Sequence, residues 1–339
     1  MSQQGHSTSD FPTREELSIC FAHVAYPLAE IFEKRATGLK HFQVWKRDEL
    51  DDKIRDAHVL VVSGFWRNDL LDCAPNLRFI QSIGAGYDQF ALDALRERGI
   101  RLANASGVNR NAVSEHAMAM ILALARHLHT GRDHQRSHEW RGMISDLSRR
   151  EDELGGKTLL IVGLGGIGSR LATLAKAFDM EVVATKRDPS TVTAPGTSVV
   201  DEVHTPDKLP HLLPRADFVA LTCPLTPATR NLIDAEALAA MQPSAYLVNV
   251  ARGGCVDEPA LLAALRSGEI AGAAIDHFWD EPLPADSPFW DLENVLITPH
   301  TAGETRRYEE NLIDILLDNL ERLWRGEKAL YNQVVECTR

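Results

Sequence analysis

The sequence predicts an α/β protein with two parallel-sheet domains, and three observations carry this prediction. Short, uninterrupted runs of apolar and β-branched residues alternate with amphipathic segments along the chain, which is typical of strands covered on both faces by helices. A glycine-rich turn lies between one such run and a helical segment near the middle of the chain. Two successive α/β patterns meet near residue 110. We therefore expect two Rossmann- or flavodoxin-like domains, of which the larger binds a dinucleotide.

The predicted strands are the apolar runs themselves. They are Ile19–Val24, His58–Val62, Arg78–Ile83, Lys157–Val162, Glu181–Thr185, Asp217–Leu221, Tyr246–Val250, Gly272–Ile275 and Val295–Thr298. The predicted helices are Val113–Thr130, Ser169–Phe178, Glu258–Arg266 and Arg306–Arg325. The first of these helices is apolar nearly all round, so we expect it to be buried.

A charged segment without periodicity, residues 131–153, follows that first helix. We interpret it as an arm rather than as core. It contains Trp140, which either packs at a dimer interface or reaches into the cleft of a neighbouring subunit.

Composition narrows the class of partner. The chain of 339 residues has 48 acidic and 36 basic residues and a net charge of −12, which disfavours nucleic acid and anionic membranes as partners. Its longest apolar stretch, Ala117–Ala125, is far shorter than the ~20 residues that span a bilayer. The first ten residues are polar, and five scattered cysteines form no CxxC pair. We expect a cytoplasmic protein with reduced thiols and no metal site.

The glycine-rich turn has the pattern GxGxxG, formed by Gly163, Gly165 and Gly168. The first glycine permits a tight turn, the second lets the backbone approach a pyrophosphate, and the third permits close helix–strand packing. The N-terminus of the following helix offers free N–H groups to the phosphates. The pattern therefore predicts a dinucleotide site.

The next strand ends in Thr185, Lys186 and Arg187. An NAD site usually has a carboxylate here to accept from the ribose hydroxyls. Two cations instead suit a 2′-phosphate, so we expect NADP(H) to be favoured over NAD(H). The alternative is that both cations are solvated and Asp188 contacts the ribose.

A dinucleotide enzyme that reduced a carbonyl beside a carboxylate would need a cation for the carboxylate and an acid that protonates the forming alkoxide. Arg252 follows a strand end and offers a two-donor fork. His300 also follows a strand end and is of the residue type that titrates near neutrality. Glu281 lies between them in sequence and could orient the imidazole and favour its protonated form. Taken singly, an arginine after a strand also fits a surface ion pair, a glutamate before proline a solvated turn, and a histidine after proline a cap. The three residues are therefore candidates at this point.

Six segments in a fixed order carry a resemblance to a known family. They are SIGAGYDQF (82–90), SGVNRNAVSEHAMAMILAL (106–124), LTCPLTPATRNLI (221–233), NVARGGCVDEPAL (249–261), AGAAIDHFWDEPLP (271–284) and ITPHTAGET (297–305). Over about residues 58–325 the chain resembles the D-isomer-specific 2-hydroxyacid dehydrogenases. The resemblance implies that Arg252, Glu281 and His300 are catalytic, and that Asp276 orients the nicotinamide side of the site.

The resemblance also implies the remaining assignments. The cofactor-binding residues are Gly163, Gly165, Gly166, Ile167, Gly168, Lys186, Arg187, Cys223, Pro224, Ala251, Asp276 and Gly303. Backbone amides of Ile83, Gly84 and Ala85 hold the substrate carboxylate, and Asn109 contacts substrate or nicotinamide. Residues 1–109 with 305–339 form the substrate domain, residues 110–304 form the inserted dinucleotide domain, and the protein is a homodimer.

Three local features stay open. Phe65 and Trp66 either line the pocket for the substrate side chain or pack in the core of the small domain, and Arg67 is a candidate contact for an anionic substrate. His277 and Trp279 replace the apolar residues that are commoner at these positions of the family. His116 is expected to pack or cap rather than to act on substrate.

The sequence thus predicts a reductase of small 2-oxo acids such as glyoxylate or hydroxypyruvate. Glu281 disfavours a formate dehydrogenase, which resembles this family but has Gln there. Only 39 residues follow His300, too few for the regulatory domain of full-length phosphoglycerate dehydrogenases, although short forms exist. Phosphite oxidation and a dinucleotide-sensing role like that of the C-terminal-binding-protein corepressors remain alternatives.

Overall fold

The computed structural model describes residues 11–87, 89–191 and 199–336. The polar segment 1–10 and Cys337 therefore lie outside the described residues. The strands, numbered along the chain, are β1 Ser18–Ala22, β2 Lys40–Val44, β3 Val59–Val62, β4 Phe79–Ser82, β5 Arg101–Ala103, β6 Thr158–Val162, β7 Glu181–Thr185, β8 Glu202–His204, β9 Phe218–Leu221, β10 Tyr246–Asn249, β11 Gly272–Ile275, β12 Val295–Ile297 and β13 Gln333–Val335.

The α-helices alternate with these strands. They are α1 Leu28–Glu33, α2 Arg47–Lys53, α3 Leu92–Glu97, α4 Arg110–Ala125, α5 Leu128–Ser137, α6 Gly166–Lys176, α7 Leu209–Leu212, α8 Ala235–Ala239, α9 Glu258–Ser267 and α10 Tyr308–Trp324. The chain divides into two compact units. Unit 1 is Met1–Asn109 with Thr305–Arg339, and unit 2 is Arg110–Glu304.

Unit 1 is built on a sheet in the order β2-β1-β3-β4-β5-β13. All pairs are parallel except β13, which runs antiparallel to β5. The first five strands have the flavodoxin-like order 2-1-3-4-5. Along β3, Val59 and Val61 face one apolar core while Leu60 and Val62 face the other. Helices cover both faces, as the continuous apolar strands predict.

Unit 2 has a fully parallel sheet in the order β8-β7-β6-β9-β10-β11-β12. This is the Rossmann order 3-2-1-4-5-6 extended by one strand. Leu160 and Val162 of β6 point into one core, and Leu159 and Ile161 point into the other. The strand order reverses between β6 and β9, and ligands of such sheets bind at the carboxyl ends of strands around that point.

The long helix predicted at Val113–Thr130 is wrong at its end. Helix α4 stops at Ala125, and His127 adopts a left-handed backbone with φ of 49° before α5 begins. Eight residues of α4 are buried, whereas no residue of α5 is. The part of the predicted arm up to Ser137 is therefore helical. Within the described residues, no helix is long and apolar enough to cross a membrane.

Candidate active site

The glycine-rich turn sits at the strand-order reversal of unit 2. Gly163 directly follows β6 and has φ of 106°. A Cβ built on it would lie 2.8 Å from the Cα and Cβ of Cys223, which follows β9. A Cβ on Gly168 would lie 2.6 Å from the carbonyl oxygen of Gly163. Only glycine therefore permits this close approach of turn, helix and neighbouring strand.

The remaining residues of the turn differ in their surroundings. Gly165 precedes the first residue of α6, and a Cβ there would meet open space. Gly166 approaches the side chain of Arg110, and Ile167 packs partly buried against the core. Pro224 is exposed, and its carbonyl accepts from Thr229 Oγ1 at 2.7 Å. The open side of the turn is thus at Gly165.

The end of β7 carries two cations. Lys186 is half-buried, and its amide donates to the carbonyl of His204 at 2.9 Å, while Arg187 is exposed. Neither side chain has an ion pair within the described residues. Asp188 Oδ1 accepts from the amide and hydroxyl of Ser190 at 3.1 and 2.5 Å. Asp188 therefore already caps its own turn.

Arg252 is presented by a braced loop after β10. Asn249, buried at the strand end, accepts from the Ala251 amide at 3.0 Å and donates to the Arg252 carbonyl at 3.1 Å. Arg252 Nη1 donates to the Ala251 carbonyl oxygen at 2.7 Å. The loop thus fixes the backbone of Arg252 and one end of its guanidinium group.

His300 and Glu281 form a hydrogen-bonded pair. His300 Nδ1 lies 2.6 Å from Glu281 Oε2, and the other carboxylate oxygen accepts from the Phe278 amide at 3.0 Å. The carboxylate partner favours the tautomer with a proton on Nδ1. His300 has a left-handed backbone with φ of 54°, uncommon for a residue other than glycine, and such residues cluster at functional sites. Its side chain is half exposed.

Asp276 anchors the segment that carries His300. Its buried carboxylate accepts from Thr298 Oγ1 at 2.5 Å, from the Thr301 amide at 2.9 Å and from the Ala302 amide at 3.1 Å. His116 Nε2 lies 3.0 Å from Thr298 Oγ1. Asp276 thus holds Thr298 on one side of His300 and Thr301 and Ala302 on the other, next to Gly303. The sequence did not indicate these contacts.

His277 is a member of this site that sequence reasoning did not assign. Its ring is only 5% exposed, and it lies 4.0 Å from the His300 ring between centroids. Its Nε2 is 3.5 Å from Arg252 Nη1. Burial, together with the charges of His300 and Arg252, lowers the pKa of His277 from 6.5 to about 4. The sequence feature that could have indicated this role is the histidine itself, which stands next to Asp276 where the family more commonly has an apolar residue.

One cavity of about 470 Å³ brings the predicted catalytic residues together. It is lined by Leu225, Arg230, Arg252, Gly253, Gly254, His277, Phe278, Trp279, Asp280, Glu281 and His300. The Trp279 ring is fixed in this lining, because its Nε1 donates to the carbonyls of Gly253 and Val256 at 3.0 and 2.9 Å. The cavity joins a two-donor cation, an imidazole and a carboxylate at the carboxyl ends of parallel strands. That combination can bind a carboxylate and move a proton.

The predicted carboxylate-binding amides lie after β4 of unit 1, and one of them needs correction. The Ile83 amide donates to the Val62 carbonyl at 3.0 Å as a continuation of the sheet, so it is not open to a ligand. The amides of Gly84 and Ala85 donate to none of the described residues. Asn109, the last residue of the first part of unit 1, is half-buried.

The side chains after β3 mostly have partners inside unit 1. Trp66 is 6% exposed, packs against the ring of Phe90 and belongs to the core, and Phe65 packs partly buried against that core. Arg67 pairs with Asp51 at 2.9 Å and with Asp69 at 3.2 Å. The position of Trp66 fits the packing alternative, and the Arg67 guanidinium already holds two carboxylates.

Comparison with known proteins decides the family. Residues 118–302 match the model of the D-isomer specific 2-hydroxyacid dehydrogenase, NAD binding domain. The chain belongs to the D-isomer-specific 2-hydroxyacid dehydrogenase family. Members of this family are NAD(P)-dependent oxidoreductases.

Curated members of the family are similar over most of the chain. Glyoxylate reductase of Pyrococcus furiosus is 36% identical over 296 residues, which cover 84% of this chain and 86% of the relative. D-3-phosphoglycerate dehydrogenase of Methanocaldococcus jannaschii is 37% identical over 301 residues. Those residues are 87% of this chain but only 54% of the relative, so the chain spans about half the length of that dehydrogenase.

Solved structures of the family share the fold. A D-isomer specific 2-hydroxyacid dehydrogenase family protein from Aeromonas salmonicida is 30% identical, with a TM-score of 0.81, and the match covers 94% of this chain and 99% of that one. A family member from Xanthobacter autotrophicus Py2, solved in complex with NADPH and MES, is 27% identical with a TM-score of 0.76. That match covers 94% of this chain and 98% of the other.

Proposed function

We propose that the protein is an NADP(H)-dependent reductase of small 2-oxo acids of the glyoxylate or hydroxypyruvate type. The observation that carries the proposal is the 2.6 Å contact between His300 Nδ1 and Glu281 Oε2 in the cavity that also contains Arg252. The similarity to glyoxylate reductase supports the substrate class.

The residues of unit 2 fit a dinucleotide. The turn after β6 lies at the strand-order reversal, where Rossmann sheets hold the pyrophosphate, and the open space beside Gly165 leaves room for a ligand. The amides at the start of α6 supply hydrogen-bond donors and partial positive charge for the phosphates. When bound, the nicotinamide supplies a hydride to C2 of the oxo acid.

The chain's own residues do the rest of the chemistry. Arg252 binds the substrate carboxylate through paired N–H donors and draws electron density from the adjacent carbonyl. His300 donates the proton on Nε2 to the carbonyl oxygen as the alkoxide forms, because its Nδ1 is engaged by Glu281. Glu281 stabilises the imidazolium before transfer and keeps the ring oriented. One oxo acid, one hydride and one proton thus give one 2-hydroxy acid.

Preference for NADP(H) is proposed from the end of β7. Lys186 and Arg187 are cations without an ion pair in the described residues, and a 2′-phosphate would pair with them. Asp188 uses Oδ1 on Ser190, which weakens the alternative that it accepts from the ribose. The NADPH complex of the Xanthobacter relative supports the same choice.

A second candidate function is oxidation of 3-phosphoglycerate. It is favoured by the similarity to the phosphoglycerate dehydrogenase and by Arg230, an exposed cation of the same cavity without an ion pair in the described residues. A substrate with a second anionic group would use it.

The proposed homodimer rests on the segment after α5. Trp140, Met143 and Leu147 are 97%, 102% and 75% exposed within one short stretch. Several large apolar side chains exposed together mark a protein contact surface. Sedimentation velocity of the protein and of Trp140→Ala with Met143→Ser tests this: a dimer that dissociates in the variant supports the interface.

The function is tested by following oxidation of NADPH and of NADH against glyoxylate, hydroxypyruvate, pyruvate, 2-oxobutyrate and phenylpyruvate, beside reduction of NADP by 3-phosphoglycerate. Turnover of a small 2-oxo acid with NADPH supports the proposal. Turnover confined to 3-phosphoglycerate supports the second candidate. Dinucleotide binding without turnover of any substrate contradicts both and favours the sensing role.

A further inference from the structure

His277 occupies a position that the proposed mechanism leaves without a role. It directly follows Asp276 at the carboxyl end of β11 and is buried, yet it lines the cavity. Two of the proposed catalytic residues touch it: Arg252 Nη1 lies 3.5 Å from its Nε2, and the His300 ring lies 4.0 Å from its ring between centroids. Buried polar groups in proteins nearly always have hydrogen-bond partners, so the partners of the two nitrogens of His277 identify its role.

The proton on the His277 ring can be placed from its neighbours. A guanidinium group only donates, so Nε2 must accept from Arg252 and the ring proton must sit on Nδ1. Nδ1 lies 3.4 Å from Asp276 Oδ2, a favourable contact for an N–H although none of the described groups completes a hydrogen bond with it. The ring must also be neutral, and burial lowers the pKa of His277 to about 4, so it is neutral near pH 7.

The contact determines which edge of Arg252 stays available. Nη1 carries two protons: one goes to the Ala251 carbonyl at 2.7 Å and the other faces His277 Nε2. Both donors of Nη1 are therefore used by the protein. The remaining edge, Nε–H with Nη2–H, is a pair of parallel donors that matches the two oxygens of a carboxylate.

We propose that His277 is a positioning residue that holds Arg252 Nη1, so that the Nε–Nη2 edge of the guanidinium group is presented to the substrate carboxylate. This inference rests on the proposed function, since it assigns a role within the same site. It predicts that His277 acts on carboxylate binding through Arg252 rather than on proton transfer through His300.

Two replacements separate this role from simple packing. His277→Leu keeps an apolar body but removes the acceptor, whereas His277→Gln retains an acceptor oxygen on a side chain of similar length. His277→Ala serves as a second variant without acceptor if the leucine does not fit the cavity wall. His58→Leu is a matched control: His58 Nδ1 also accepts a hydrogen bond, from the Ser18 amide at 3.1 Å, and burial also lowers its pKa, but it lies at the amino end of β3.

Steady-state kinetics with NADPH and the best 2-oxo acid give the decisive readout. In His277→Leu and His277→Ala we expect KM for the oxo acid to rise about tenfold, as for loss of one hydrogen bond to a charged group. We expect kcat and KM for NADPH to change by no more than about twofold, because Arg252 and its charge remain in the site and polarise the carbonyl once the substrate is bound. His277→Gln should recover most of the loss, and His58→Leu should match the wild type.

The inference is overturned if KM for the oxo acid is unchanged in both variants without acceptor. It is also overturned if kcat and both KM values shift together and the glutamine variant is no better than the leucine variant, because that pattern marks a structural role.

Binding of oxalate to the enzyme with NADPH, measured by calorimetry, separates this inference from the proposed function. If the wild type reduces no 2-oxo acid, the proposed function fails. Weaker oxalate binding in His277→Leu than in wild type would still support the positioning of Arg252. Equal affinity in the two proteins, or no oxalate binding by the wild type, overturns the inference.

Discussion

Glu281 Oε2 and His300 Nδ1 lie 2.6 Å apart, and this contact fixes which nitrogen of the imidazole faces the substrate. The Phe278 amide holds the second oxygen of the same carboxylate at 3.0 Å, so the carboxylate is itself oriented. The pair places a proton donor and its counter-charge at the edge of the cavity that contains Arg252.

His300→Gln removes the proposed general acid. We expect kcat for the oxo acid to fall by roughly 10²–10⁴-fold, the range typical of general acid catalysis. Binding of NADPH, followed by quenching of tryptophan fluorescence, should not change. A variant with wild-type kcat would show that another group delivers the proton.

Arg252→Lys keeps the positive charge but removes the planar two-donor fork. We expect KM for every 2-oxo acid to rise by about 10- to 100-fold, since charge-assisted bidentate contacts contribute about 1.5–3 kcal/mol. Arg230→Ala, in the same cavity, should affect glyoxylate less than substrates with a second anionic group. Equal KM values for wild type and Arg252→Lys would remove Arg252 from carboxylate binding.

Asp276→Asn tests how the segment around His300 is held. Only the amide oxygen of asparagine accepts, so the Ala302 amide, which donates to both carboxylate oxygens at 3.3 and 3.1 Å, loses one of these two contacts and faces the side-chain NH2 group instead. Loss of a hydrogen bond to a charged group costs about 1.5–3 kcal/mol, which urea unfolding should detect. We also expect kcat to fall. Asp234→Ala, which removes the N-cap acceptor of the Ala237 amide at the exposed start of α8, is the control that lowers stability without altering turnover.

Lys186→Asp combined with Arg187→Ala tests whether the two cations at the end of β7 determine the preference for NADPH. The substitution removes two cations and introduces an acceptor for the ribose hydroxyls. We expect the ratio of kcat/KM for NADPH to that for NADH to fall well below its wild-type value. An unchanged ratio would place the 2′-phosphate contact elsewhere.

Acid should destabilise the protein through His277. Its pKa is lowered from 6.5 to about 4 in the folded state, so between these values the unfolded chain binds more protons. The free energy of unfolding therefore falls as the pH is lowered through that window, by at most about 1.4 kcal/mol per pH unit from this group. Below the folded-state pKa the loss is complete, and above 6.5 it is absent.

The His277→Leu variant lacks this contribution of His277 to the pH dependence of the free energy of unfolding. Urea midpoints of wild type and variant at pH 7 and pH 5 should therefore diverge, with the variant gaining relative stability at pH 5. Midpoints that move in parallel would mean that His277 titrates normally.

The sequence predicted the elements with a strong apolar signal well. The predicted strands Glu181–Thr185 and Gly272–Ile275 coincide with β7 and β11, because β11 is buried throughout and β7 is buried at every residue after Glu181. The strands β2, β5, β8 and β13 were not predicted. They are three to five residues long, and β2 and β8 are mostly only half-buried, so no continuous apolar run marks them.

The end of α4 could not be predicted from the hydrophobic pattern either. Residues 126–128 are all compatible with a helix, and the break comes from the left-handed backbone of His127. The contacts of Asp276 and His277 depend on how the ends of β10, β11 and β12 converge. Motifs in sequence order name the residues there, but they do not give the 3.5 Å separation of Arg252 and His277.

We expect the cavity with Arg252, Glu281 and His300 to reduce a small 2-oxo acid. The rate of NADPH oxidation with glyoxylate, measured for the wild type and for His300→Gln side by side at equal protein concentration, tests this expectation. We predict steady turnover by the wild type, with glycolate formed in equal amount to NADP, and a rate at least about a hundredfold lower in the variant. Equal rates in the two proteins would show that His300 does not deliver the proton, and wild-type protein that binds NADPH but forms no glycolate would show that the cavity does not reduce glyoxylate.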